Sequence, residues 1–144
     1  MIIKLLPEQI TKLWDSIRYG VIEAVAPMID PTPENIQDIL CQLLKQDMQC
    51  WCVFDEEKNI YGYIVTSISV DMNTNFRTLM VYSLFLYQKA TPEMWEEGMN
   101  AVDSFAKSNN CTRVVAYTAN PSVVSIAKKN GYVDYTYLVK DIGG

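Results

Sequence analysis

The side chains that could do chemistry here are few, and imidazole is not among them: histidine does not occur in the 144 residues. That excludes a Ser-His-Asp triad, a Cys-His pair and any histidine-ligated metal. Four thiols remain, Cys41, Cys50, Cys52 and Cys111. Cys50-Trp51-Cys52 sets two of them on one face of a strand, but Cys41 and Cys111 do not form a second closely spaced pair. The sequence therefore predicts reduced, unmetallated cysteines, with no metal site and no disulfide framework. The candidate catalytic residues are Tyr82, Ser83 and Asn120, with Asp71, Glu23 and Thr118 behind them. Each has a plainer use. Tyr82, Tyr87, Tyr117, Tyr132, Tyr135 and Tyr137 fall on or beside expected strands, where aromatic residues pack. Ser83 reads as a small residue tolerated between Tyr82 and Leu84, and Thr118 and Asn120 as turn and cap residues.

Charge narrows the partners. Twelve basic residues stand against seventeen acidic ones, giving −5, and neither sign forms a block. No nucleic-acid partner is expected, because phosphates require clustered Lys or Arg. Lys128-Lys129 reads as favourable charge near a helix C-terminus. No apolar run is long enough for a membrane partner, and Met1 to Leu6 lead into Pro7-Glu8 without a cleavage pattern. The expected location is the cytoplasm.

The elements that must position these residues form one domain, 1–144, with no repeat or linker. Apolar residues at three- and four-residue steps predict a helix opening near Pro7, ended by Ala26-Pro27 and Asp30-Pro31. A second helix opens at Thr32-Pro33. Strands are then expected over 50–54, 60–70 and 76–87, joined by turns at 55–59 and 71–75. Thr91-Pro92 opens a third helix, residues 112–118 a strand, Asn120-Pro121 a fourth helix closed by Gly131, and 135–140 a last strand. Residues 2–5 could add a short first strand.

This order resembles the GCN5-related N-acetyltransferase (GNAT) superfamily, and so does the run Asn120-Pro121-Ser122-Val123-Val124-Ser125-Ile126-Ala127-Lys128-Lys129-Asn130-Gly131-Tyr132. The resemblance implies an α/β (α+β) fold: a mixed, mostly antiparallel sheet flanked by about four helices. Strands 76–87 and 112–118 should be adjacent, divergent toward one end, and the only parallel neighbours near the centre of the sheet. It also implies a coenzyme A site in the loop before the third helix, where the family carries Gln/Arg-x-x-Gly-x-Gly/Ala, so that backbone amides hold a diphosphate. Here that stretch is Gln88-Lys89-Ala90-Thr91-Pro92-Glu93, without glycine. Its candidate cofactor-binding residues are Lys89, Ala90 and Thr91. Pro92 removes an amide donor, and Glu93, Glu96 and Glu97 put negative charge where the diphosphate would lie. Where many members carry a tyrosine that protonates the departing thiolate, seven residues after the Asn cap, this chain has Ala127.

Two functions follow. The first is a GNAT-fold protein with an eroded acyl-CoA site, no cofactor and a protein partner. It resembles small GNAT-like proteins of tailed phages, which would place it in a virion. The alternative is a divergent N-acetyltransferase using acetyl-CoA, with direct attack by an amine between strands 76–87 and 112–118.

Overall fold

A computed structural model describes residues 1–25 and 30–143. Its elements are β1 (Ile2–Lys4), α1 (Pro7–Val25), α2 (Pro33–Leu44), β2 (Met48–Phe54), β3 (Ile60–Val70), β4 (Arg77–Leu86), α3 (Pro92–Ser108), β5 (Arg113–Ala116) and α4 (Pro121–Lys129). The expected end of the first helix at Ala26-Pro27 falls outside the described residues.

Three helices open by one device. A cap side chain accepts an amide hydrogen bond while proline occupies the first helical position. Thr32 Oγ1 accepts from Asn35 N at 3.2 Å, Thr91 Oγ1 from Met94 N at 3.2 Å, and Asn120 Oδ1 from Ser122 N at 2.9 Å. The hairpin turns rest on aspartates. Asp55 Oδ1 accepts from the Glu57 and Asn59 amides, and Asp71 Oδ1 from the Asn73 and Thr74 amides. These bonds favour the ionised carboxylates and hold both below the usual carboxylate pKa.

The strands stand in sequence order, β1-β2-β3-β4-β5, antiparallel up to β4 and parallel between β4 and β5. One face packs on α1 and α2 through Ile10, Ile17, Leu43, Cys50 and Val65, all but sealed from solvent. The other face packs on α3 through Trp51, Ile64, Leu79, Val102 and Ala106.

Two expectations are corrected. Residues 135–140 form no strand, and the side chains of 133–143 are exposed, with Asp134 beside Lys128 and Tyr137 against Tyr117. Alternation is not enough, since a strand exists only through a ladder with a neighbour, and none pairs with this segment. In consequence β5 stands at the edge of the described sheet, and the β4–β5 pair is not flanked as a central pair would be.

Candidate functional site

The site begins with an irregularity in β4. Its pairing with β3 passes from Ser83 opposite Val65 to Val81 opposite Thr66, so Tyr82 is an extra residue, a β-bulge. The extra residue switches the parity of the strand. Before it, Leu79 and Val81 face α3; after it, Leu84 and Leu86 do so, while Phe85 lies against Gly20 of α1. Pairing with β5 ends at the same point, Val81 opposite Ala116. From there to Leu86 the outer edge of β4 has no partner strand among the described residues.

Into this opening fits an apolar cavity of about 80 Å³. Its walls are Val81, Leu84 and Leu86 of β4, Met94 and Trp95 of α3, Val123 and Ala127 of α4, and Tyr132. Tyr132 is its one ionisable lining residue among those described. Burial, with Asp103 nearby, raises the pKa of that phenol and keeps it protonated.

The candidates named from sequence are not brought together there. Tyr82 packs with the α1–α2 core, where burial raises its pKa. Ser83 is buried on the strand beside it, and Asn120 is occupied as the α4 cap. Asp71 serves the far hairpin and Glu23 is exposed on α1. Thr118 Oγ1 accepts from the Asn120 amide at 3.0 Å. Of the proposed coenzyme contacts, Lys89 is exposed, Ala90 lines the cavity, and Thr91 caps α3. The cavity walls at Leu84, Leu86, Met94 and Trp95 were missed. The run 79–86 is apolar on both faces apart from Ser83, so no alternation marks the bulge that aims them.

The amino end of α3 tests the fit to a diphosphate. Pro92 has no N–H, Met94 N is bound to Thr91 Oγ1, and Trp95 N to the Thr91 carbonyl at 3.1 Å. Only the Glu93 amide of that first turn has no acceptor among the described residues, and Glu93 itself brings negative charge to the same place. The cysteines are free: Cys50 and Cys52 are buried and Cys41 is exposed. Burial, helped by Cys52, pushes the Cys50 thiol up to about 12. Among the described residues no group of three Cys, Asp or Glu converges as a metal site requires, and no helix is long and apolar enough to cross a membrane.

Solved structures share this fold over nearly all of their length. A predicted acetyltransferase with acetyl-CoA from Clostridium acetobutylicum superposes with a TM-score of 0.71 at 16% identity, covering 97% of this chain and 94% of that one. The chain has the GNAT acetyltransferase fold. An aminoglycoside acetyltransferase from an uncultured soil metagenomic sample gives 0.71 at 12% identity, covering 100% and 97%. Glucosamine-6-phosphate N-acetyltransferase from Arabidopsis thaliana gives 0.65 at 11%, covering 99% and 98%. No protein-family model matches the sequence, and no curated protein does. At these identities the GNAT likeness is one of fold, and activity has to be argued from the cleft.

Proposed function

We propose that this GNAT-fold protein does not handle acyl-CoA and acts as a structural or interaction component, with a protein as its partner. The observation that carries this is the first turn of α3, where proline, a self-capping threonine and Glu93 occupy the place that suits a diphosphate. Ala127 and the apolar cavity walls agree with it. A phage particle is the setting that the sequence resemblance suggests for such a component. Melting the protein with and without excess acetyl-CoA tests the proposal. A ligand present at 100 times its Kd adds about 2.7 kcal/mol, or roughly 5 °C or more in Tm for a chain of this size. No shift is expected, and a shift of that size would refute the proposal.

A second reading, a divergent N-acetyltransferase, is favoured by Tyr132. Its protonated phenol lines the cavity beside Ala127, where it could donate a proton to a departing thiolate. On that reading Tyr132→Phe would abolish acetyl transfer to an amine while leaving the fold intact.

A further inference from the structure

At the opposite end of the sheet from the cleft, β1 stops early. Leu5 N donates to the Cys50 carbonyl at 2.8 Å, α1 opens at Pro7, and the outer side of Met48 and Gln49 in β2 has no partner strand among the described residues. A cavity of about 360 Å³ opens there, within the roughly 300–1,000 Å³ of small-molecule sites. Ile10 and Leu43 line it from one face of the sheet, Ile68 and Phe105 from the other. It lies roughly 15 Å along α3 from the apolar cleft, as far as Phe105 is from Trp95 at a rise of about 1.5 Å per residue. One buried polar side chain is aimed into it. Gln49 is 8% exposed, and a relay of hydrogen bonds fixes its orientation. Trp51 Nε1 can only donate, and does so to Thr66 Oγ1 at 3.0 Å; the Thr66 hydroxyl gives its own proton onward to Gln49 Oε1 at 2.8 Å. Gln49 Nε2 is thereby turned away from Thr66, and its two N–H donors meet no acceptor among the described residues. Among those residues no fully enclosed polar side-chain atom lacks a partner, so Nε2 reaches open space, and the space that Gln49 lines is this cavity.

We infer that this cavity binds a free α-amino acid with an apolar side chain. The Gln49 donors require an acceptor, and Lys4, whose Nζ lies 5.4 Å from the centre of the Phe105 ring, adds positive charge on the side that faces α3. Together they suit a carboxylate. Asp47 lines the cavity at the turn between α2 and β2, where its amide donates to the Gln42 carbonyl at 2.9 Å, and its side chain suits an ammonium. Neither Lys4 nor Asp47 has an ion-pair partner among the described residues, so both charges are open to a ligand. Leu43, Ile68 and Phe105 supply the apolar wall. One ligand that carries both charges and an apolar side chain satisfies all of these groups, whereas the end of a polypeptide brings only one of the two charges. The site shares no residue with the cleft and stands whether or not the cleft binds coenzyme.

The test is calorimetric titration of L-leucine and L-phenylalanine into the full-length protein, with the side-chain amide signal of Gln49 followed by NMR. Saturable binding is expected, with a shift of that signal. Lys4→Gln and Asp47→Asn, both at exposed positions and so without harm to the fold, should each weaken binding about 10-fold or more. N-acetyl-leucine and leucine amide, which each lack one of the two charges, should bind more weakly than leucine by about the same factor. Failure of both amino acids to saturate the protein at millimolar concentration would overturn the inference. So would binding of N-acetyl-leucine as tight as that of leucine, which would mean an anion site only, or equally tight binding of leucine amide. Binding that leaves the Gln49 signal unmoved, or that both surface variants retain in full, would place the ligand elsewhere and overturn it too.

Discussion

Between α1, α2 and the sheet, Ile10, Ile17, Leu43, Cys50 and Val65 are almost completely sealed, whereas α4 contains no buried residue and 133–143 lie almost wholly in solvent. The same chain thus carries a densely packed region, from β1 to β4 with three helices, and a sparse one, from β5 onward. Close packing supplies the stability of such a domain, so the first region sets the fold. The second is left with apolar surface that its own fold does not use. The cleft lies on the border between them.

The largest test of this contrast is alkaline. Burial raises Cys50 from an ordinary 9.0 to about 12 and Tyr63 from 10.0 to about 12. The folded protein holds these protons more tightly than the unfolded chain. The stability this gives is fully present below about pH 9 and is lost as the pH rises towards about 12. A pH series of urea unfolding should show that fall, on the order of several kcal/mol, with part of it removed in Cys50→Ala. Next, Leu79→Ala should cost about 3 kcal/mol, because Leu79 is fully buried under α3, while Val123→Ala on α4 should cost under about 1 kcal/mol. Equal costs in urea unfolding would erase the distinction between the regions.

A smaller effect is expected at Thr66. Its hydroxyl accepts from Trp51 Nε1 at 3.0 Å and donates to Gln49 Oε1 at 2.8 Å in a fully buried position. Thr66→Val strands both partners and should cost about 2 kcal/mol. The smallest is Thr91→Ala, about 1 kcal/mol through the lost cap, measured in the same way.

Much of the fold was legible because its signals are local. The Thr-Pro and Asn-Pro helix starts, the aspartate turns and the three-strand meander all declare themselves over a few residues. Pro92 at the first position of α3, behind its Thr91 cap, was legible for the same reason. The bulge at Tyr82 was not, since a run that is apolar on both faces apart from Ser83 hides a change of parity, and with it went the facing of Leu84 and Leu86. The strand expected at 135–140 failed for the opposite reason. Its alternation is local and clear, but its ladder depends on a neighbour that the sequence does not name.

The central claim, that the first turn of α3 is closed to a coenzyme diphosphate, is tested most directly by titrating acetyl-CoA calorimetrically at low salt into three proteins: wild type, Glu93→Gln and Lys89→Ala. Low salt leaves exposed charges least screened, so any diphosphate contact is largest there. No saturable heat is expected from wild type or Lys89→Ala, and removing one carboxylate in Glu93→Gln should not create a site while Pro92 and the Thr91 cap remain. Saturable binding to wild type, tightened by Glu93→Gln and weakened by Lys89→Ala, would contradict the claim.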